Sequence, residues 1–412
     1  MKQYRKIKLG DVLDVKRGMS LSGEFYATEG KYIRLTLGNF NYPECGWKEN
    51  VSKDNLYYVG TIRNEFLMRK GDIITPLTEQ VRGLLGNTAT IPEDDLYVQS
   101  GDIGLIVPDE SKLNKRFAYY LVSSNVVKKQ LDAGSQQTKI RHTCPDAIKA
   151  CVAFIPEPLS QQNIATLLDY IGNKIENNNA INDNLAQQAK LLYDYWFTQF
   201  DFPDENGKPY KSSGGQMVWN DMLRKEIPLG WEVKTLSELL KKNTQSFDYT
   251  SIQPTIDLSV MPSDSIALSQ INSSDNFSTN LYVMKKGDIL FGSIRPYLHK
   301  AGIAPCDGAV AGTVHSYHTI NPNDYNFSLL TMTRDSFFDY AVNTSSGTKM
   351  PVVSSDSILS FKFAYSKEVA KKFNSVPIME IITRNVQETQ RLIKLRDFLL
   401  PLLMNGQATI AE

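Results

Sequence analysis

Three histidines pose the first chemical question. His315 and His318 stand three residues apart, with His299 upstream. A zinc site would need a carboxylate or Cys at ligand spacing to complete the set. None stands there, so the trio reads as polar surface or DNA-facing side chains. The run Asp204-Glu205-Asn206-Gly207-Lys208 carries the carboxylates and lysine of a nuclease cluster. It lies in a turn-rich stretch without a flanking strand and reads as structural. Neither Cys144 nor Cys151 has a local base partner for nucleophilic catalysis, and GxSxG is absent. Asn321-Pro322-Asn323-Asp324 lacks the second Pro and the aromatic of a methyltransferase NPPY motif. No phosphate-cradling GxxxxGK[ST], no HExxH and no S-adenosylmethionine-type glycine motif occurs. Acid–base pairs assembled from distant positions stay open, but no readable motif supports an enzyme, and the predicted catalytic and metal sets are empty.

Residues suited to binding are easier to find. Between Ser111 and Arg141 stand Lys112, Lys115, Arg116, Lys128, Lys129, Lys139 and Arg141, against Asp132 alone. Such a face could neutralise several phosphates; a solvated helix face is the alternative. The run ends in a loop with Ser135, Gln136, Gln137 and Lys139, side chains suited to phosphate and base-edge contacts. In the second half Ser293, Arg295, Tyr297, His299 and Lys300 cluster within a strand-like stretch. Their counterparts by position lie at Thr75–Arg82 and include Thr78, Gln80 and Arg82. Thr348 and Lys349 lie in the counterpart of the Ser/Gln loop. All of these are candidate DNA contacts.

The elements that must position them come next. From Leu159 to Phe200 a heptad seam runs through Ile164, Leu168, Ile171, Ile175, Asn178, Asn182, Leu185, Ala189, Leu192 and Trp196, predicting one long helix of roughly 60 Å. A second seam, Ile378, Ile381, Asn385, Glu388, Leu392, Leu395, Leu399 and Leu402, predicts a helix of nearly equal length over 366–404, with Pro377 marking a kink or a late start. Each seam is polar near its middle. Antiparallel packing would bring Asn178 and Asn182 to Asn385 and Glu388, a register-fixing polar layer. A helix pair in separate domains, each packed on its own sheet, is the alternative. Residues 1–155 predict strand-rich mixed structure, with strands at Lys31–Leu35, Gly71–Thr75, Gly101–Pro108 and Ala150–Ile155, and an amphipathic helix from Phe117 to Leu131. The linker, residues 201–230, holds three Pro and four Gly and predicts turns, anchored by Trp219, Ile227 and Trp231.

The plan repeats. Leu236-Ser237-Glu238-Leu239-Leu240 echoes Leu9-Gly10-Asp11-Val12-Leu13; Met284-Lys285-Lys286-Gly287-Asp288-Ile289 echoes Met68-Arg69-Lys70-Gly71-Asp72-Ile73; Gly347-Thr348-Lys349-Met350 echoes the loop ending Thr138-Lys139-Ile140. The offsets are 227, 216 and 210 residues. Matched order with a slipping offset indicates an old duplication with altered loops.

Bulk properties set wide limits. A chain of 412 residues with 45 basic and 45 acidic side chains predicts two or three domains and neither demands nor forbids a nucleic-acid partner. Four Cys without CxxC spacing point to a reduced setting. The opening MKQYRKIKLGDVLDVKRG has no apolar run and does not read as a secretory signal. No apolar run long enough to span a membrane occurs, and the expected location is cytoplasmic.

The stretch YDYWFTQFDFPDENGKPYKSSGGQMVWN, followed by IPLGWEVKTLSEL, resembles the central region of the specificity subunits of type I restriction-modification systems, and RDFLLPLLMNGQ resembles the end of the second spacer. The resemblance covers the whole chain. It implies an α+β fold: two target-recognition domains (1–157 and 231–365) separated by a long antiparallel two-helix coiled coil (158–200 and 366–404), with a linker at 201–230, a tail at 405–412 and pseudo-twofold internal repeats. It implies double-stranded DNA, two modification (methyltransferase) subunits and restriction subunits as partners. It also implies no catalysis and no cofactor in this chain, with S-adenosylmethionine, ATP and Mg on the partners, and a bacterial or archaeal origin. The helix end, with Tyr193, Trp196 and Phe197, is the expected docking surface for the methyltransferase subunits. A structural coiled-coil protein without a DNA partner, and a specificity subunit serving no nuclease, are the competing readings.

Overall fold

A computed structural model describes residues 4–42, 45–80, 82–134, 141–248 and 251–410. The chain divides into two compact units, residues 1–172 with 394–412, and residues 173–393. The division falls within the first long helix and assigns the end of the second to the first unit.

In the first unit Leu13–Arg17, Ile103–Pro108, Ile73–Pro76 and Ala89–Thr90 form an antiparallel sheet in that order. A second sheet runs Tyr26–Ala27, Tyr57–Tyr58, Tyr32–Arg34, Tyr97–Val98, its last pair parallel. Arg5–Lys8 pairs with Val152–Ile155. The second unit repeats the first of these sheets, a parallel pair and the terminal strand pair. Leu240–Lys242, Val314–Thr319, Ile289–Gly292 and Ala301–Ile303 take the same order. Pro254–Ile256 lies parallel to Gly308–Ala311, and Glu232–Thr235 pairs with Lys362–Tyr365.

The duplicated motif is a turn whose hydrogen bonds are duplicated too. Gly71 and Gly287 both adopt positive φ, 84° and 87°, a region open to Gly at no steric cost. Asp72 Oδ2 accepts the Arg69 N–H at 2.8 Å, and Asp288 Oδ2 that of Lys285 at 2.7 Å. Lys70 N–H donates to Asp94 and Lys286 N–H to Asp307, each at 2.8 Å. The echoed Leu9 and Leu236 segments are likewise both short 3-10 turns, closed by Asp11 and Glu238 accepting the N–H of Lys8 and Thr235.

Several elements differ from expectation. The Phe117–Leu131 helix is two, Lys115–Val122 and Asn125–Gly134. They part at Ser123, whose hydroxyl donates back to the Tyr119 carbonyl, a side-chain bond that competes with helix continuation. Ala150 closes a helix, Pro145–Ala150, and only Val152–Ile155 is strand. The first long helix is α over Pro158–Tyr193, 36 residues, then widens to a π-turn over Asp194–Thr198. The second is split into Lys367–Asn374 and Ile378–Met404, and its longer part has 27 residues, short of parity with the first. Pro377 denies the helix an N–H. Asn326 Nδ2 donates to the carbonyls of Phe373 and Val376 at the break.

The buried stripe of Ile378–Met404 begins Met379, Ile382, Val386, Thr389, one residue on from the seam read in the sequence. The shift has a cause. Met379, Ile382 and Val386 belong to the second unit's core, beside Phe373 and Tyr193, so the helix turns toward that core as well as toward its partner helix. In the linker Ile227 is buried and Trp231 packs on the same core, but Trp219 is 63% exposed and anchors nothing. It lies on a hairpin, Met217–Asn220 with Lys225–Pro228. Among the described residues no helix is long and apolar enough to cross a membrane.

Two predictions test this frame. A Cβ at Gly287 would meet no atom within 4 Å, so Gly287→Ala has only the backbone to strain. It should lose about 1 kcal/mol in urea denaturation, and unchanged stability would show that the positive φ is not required. His315 is the second. Burial, helped by the Lys242 charge, pulls its imidazole down to about 4. The native state thus holds it neutral while the unfolded chain protonates near pH 6.5. Stability should be full above about pH 6.5 and fall toward pH 4, by on the order of 3 kcal/mol, and His315→Gln should flatten that limb.

Candidate nucleic-acid interface

In the first unit strand pairing sets His142 opposite Thr78 and Arg141 opposite Glu79. This gathers strand Thr78–Glu79 and residues 82–85, the end of helix Asn125–Gly134 and strand Arg141–His142 at one edge. Glu79, 2% exposed, is the hub. Its Oε2 accepts the N–H groups of Gly83 and Leu85, each at 3.0 Å, and Oε1 lies 2.9 Å from Arg141 Nη1. Arg141 also binds Asp132, at 2.6 Å through the side chain and 2.7 Å through the carbonyl. Asp132 in turn holds Arg82 at 2.7 Å. The chain Arg82–Asp132–Arg141–Glu79 therefore ties three segments together. Arg82 is its exposed end, with 78% of its side chain exposed, whereas Arg141 is 15% exposed. Gln80 is exposed beside them.

This arrangement corrects the sequence reading at several points. Thr78 is buried and cannot meet a duplex as placed. Arg141 is an anchor for Glu79 and Asp132. The basic run is not an uncompensated face: Lys112 pairs with Asp109, and Arg116 with Asp169, which also accepts from the Tyr120 hydroxyl at 2.7 Å. Ser135, Gln136, Gln137 and Lys139 lie outside the described residues.

The second unit builds the equivalent edge from different side chains. Ile294 bridges Val352, Ser346 bridges Val352, and the Arg295 N–H donates to the Pro351 carbonyl at 2.8 Å. The loop with Thr348 and Lys349 is thereby laid beside Arg295 and Tyr297, and all four are exposed. Arg295 and His299 flank the turn Pro296–Leu298, and both hold positive φ, 52° and 51°. For side chains of this size that conformation is strained, and strain of this kind gathers at functional sites. Ser293 is buried, its hydroxyl donating to the Thr313 carbonyl at 2.9 Å, and cannot meet a duplex as placed. His299 is committed to Asp264, 2.9 Å away, and stacks on Phe338 at 4.3 Å. Lys300 Nζ donates to the Leu258 carbonyl at 2.6 Å.

Within the second unit the two long helices meet at a polar layer. Asn178 Nδ2 donates to Glu388 at 2.8 Å and lies 3.4 Å from the Thr389 hydroxyl; Asn385 Nδ2 donates to Asn182 Oδ1 at 3.0 Å. As one number rises the other falls, so the helices run antiparallel here. Lys174 adds a 3.3 Å ion pair to Glu388, and Asn178 and Lys174 together hold that carboxyl below its usual range. Thr389, which the sequence reading missed, is a buried acceptor of the set beside Asn182.

Tyr193, Trp196 and Phe197 are not a docking surface as placed. Tyr193 and Phe197 are buried, Trp196 is partly so, and all three pack in the second unit's core. The Tyr193 hydroxyl lies 2.8 Å from that of Thr331, and Phe197 packs edge-on against Phe327 at 4.8 Å.

If Arg141 is an anchor and Arg82 an exposed arm, their deletions should separate. Arg141→Ala leaves Glu79 buried beside no cation and should cost about 3 kcal/mol in urea denaturation. Arg82→Ala should leave the denaturation midpoint essentially unchanged. Equal losses would contradict the anchoring role.

Residues 1–187 match the family described as the type I restriction modification DNA specificity domain. The type I restriction enzyme MjaIX specificity subunit of Methanocaldococcus jannaschii is 26% identical over 323 residues, covering 74% of this chain and 72% of that one. The HindI specificity subunit of Haemophilus influenzae is 24% identical over 409 residues, covering 82% and 87%. Among solved structures, the S subunit of a type I restriction-modification system from M. genitalium aligns over 98% of this chain and 96% of that chain, with TM-score 0.57 at 16% identity, a likeness of fold. The first 187 residues thus match the type I restriction modification DNA specificity domain, and most of the chain is similar to proteins named as type I restriction enzyme specificity subunits.

Proposed function

We propose that each repeat reads one half of a bipartite, asymmetric DNA target, and that the paired long helices set the gap between the halves. The observation that carries this reading is one frame with two different edges. The sheets that hold Ile73–Pro76 and Ile289–Gly292 match in order, yet the edge that presents Gln80 and Arg82 in one unit presents Arg295, Tyr297, Thr348 and Lys349 in the other. Two edges with different donors and acceptors suit two different base sequences. Arg82 and Arg295 can each make a bidentate contact to guanine or grip phosphate; Gln80 can pair with adenine. Two linked readers gain affinity only when both sites are engaged together.

The chemistry then belongs to partners. Two methyltransferase subunits would supply S-adenosylmethionine and methylate adenine, and restriction subunits would use ATP and Mg to translocate and cleave, with this chain holding no cofactor. The polar layer suits a spacer, because buried polar pairs fix register at some cost in stability. Such a complex would act on DNA in the cytoplasm. With Tyr193 and Phe197 buried, methyltransferase docking would fall to exposed apolar side chains nearby, of which Leu191 and Tyr195 are two.

Mapping methylated adenines in DNA from cells carrying this chain and its methyltransferase subunit tests the reading. A split motif with two unlike halves is expected. A continuous palindrome would count against two distinct readers.

A further inference from the structure

Arg82 is an exposed arm that is already occupied. Its Nη2 lies 2.7 Å from one Asp132 oxygen and its Nε 3.3 Å from the other. That is a fork on a flat pair of acceptors, and the same fork fits the O6 and N7 of guanine or two oxygens of a phosphate. Asp132 therefore offers Arg82 a surface shaped like the one DNA would offer. The backbone beneath is fixed from both sides. The Tyr42 hydroxyl donates to the Arg82 carbonyl at 2.6 Å, and Glu79 holds the N–H groups of Gly83 and Leu85. The side chain can thus change partners while the Arg82 carbonyl and the Gly83 and Leu85 N–H groups keep theirs. Asp132 cannot follow it, because Arg141 grips both its carboxylate and its carbonyl. Arg82 and Arg141 hold that carboxyl down at about 2, so it is charged at any physiological pH.

We propose that Asp132 is an internal competitor for Arg82, occupying the guanidinium until a correctly placed DNA group displaces it and so weakening the first unit's hold on DNA of unrelated sequence. The proposal rests on the DNA-recognition reading. An exposed ion pair is weak, so the exchange is easily driven where DNA supplies a matched pair of acceptors. A stray phosphate merely replaces one anion by another and meets the Asp132 charge as it does so. Arg82 then contributes to the matched complex and little to encounters with other sequences. Asp132 is in this sense a specificity-tuning residue that need not touch DNA.

The test uses the full chain assembled with its methyltransferase subunits and fluorescein-labelled duplexes, one of mixed sequence and one carrying the mapped target. Asp132→Asn should bind the mixed duplex roughly 3-fold more tightly, with a salt dependence steeper by about 0.9 in log–log slope. The gain should vanish when Arg82→Ala is added. Arg82→Ala alone should leave mixed-sequence affinity within about 2-fold while weakening target binding. An unchanged Asp132→Asn, or a gain that survives Arg82→Ala, would overturn the competition. Should Asp132→Asn not fold, the single Arg82→Ala still decides, since equal weakening on both duplexes would show that Arg82 was never withheld. A parental complex that does not prefer its mapped target would instead overturn the recognition reading itself.

Discussion

The structure depends on burying the far end of each long helix. The first helix begins in the first unit, but its end enters the second unit's core, where Phe197 meets Phe327 and Phe373 at 4.8 and 5.2 Å and Tyr193 meets Phe327 at 5.6 Å. The second helix begins in the second unit, and its end, Leu403 and Met404, joins the first unit's core with Ile164 and Leu168. There the Tyr4 hydroxyl donates to the Leu403 carbonyl at 2.8 Å. Aromatic burial on this scale dominates core energetics. Neither core is complete without a segment from the other end of a helix. The helices cannot be shortened at those ends without opening a core, which makes them poor places for variation in length.

That dependence explains why Tyr193, Trp196 and Phe197 misled a reading of the sequence. An aromatic cluster at a helix end resembles a docking patch, and only the fold shows that the second unit already uses it. The same holds for the seam. Its apolar spacing and polar midpoints were legible because both are local patterns. The one-residue rotation of Ile378–Met404 was not, because it answers to Phe373 and the rest of the core rather than to the partner helix alone.

Charge was the least legible property. The run from Lys112 to Arg141 holds one acid in sequence, yet its cations find carboxylates outside it: Arg116 on Asp169, 53 residues away, and Arg141 on the buried Glu79. Counting charges along a chain measures the solvated face only when partners are local. The turn motif was legible for the opposite reason. Gly71 and Asp72 act within four residues of backbone, so the same spacing at Gly287 and Asp288 reports the same turn.

The two repeats then divide the work between frame and edge. Ile73–Pro76 and Ile289–Gly292 hold one sheet position, and the bridges of Thr78 to His142 and Ile294 to Val352 follow each in the same place. Arg295 accordingly stands where Glu79 stands. In the first unit that position is a buried carboxylate binding its own loop, and the reaching cation is three residues on. In the second the position itself carries an exposed cation on a left-handed backbone. A duplicated frame of turns and sheets can tolerate so complete an exchange because its own hydrogen bonds, at Asp72 and Asp288, lie at the opposite end of the same strands. Framework and reading surface are thus separable within each strand, and one can change while the other holds.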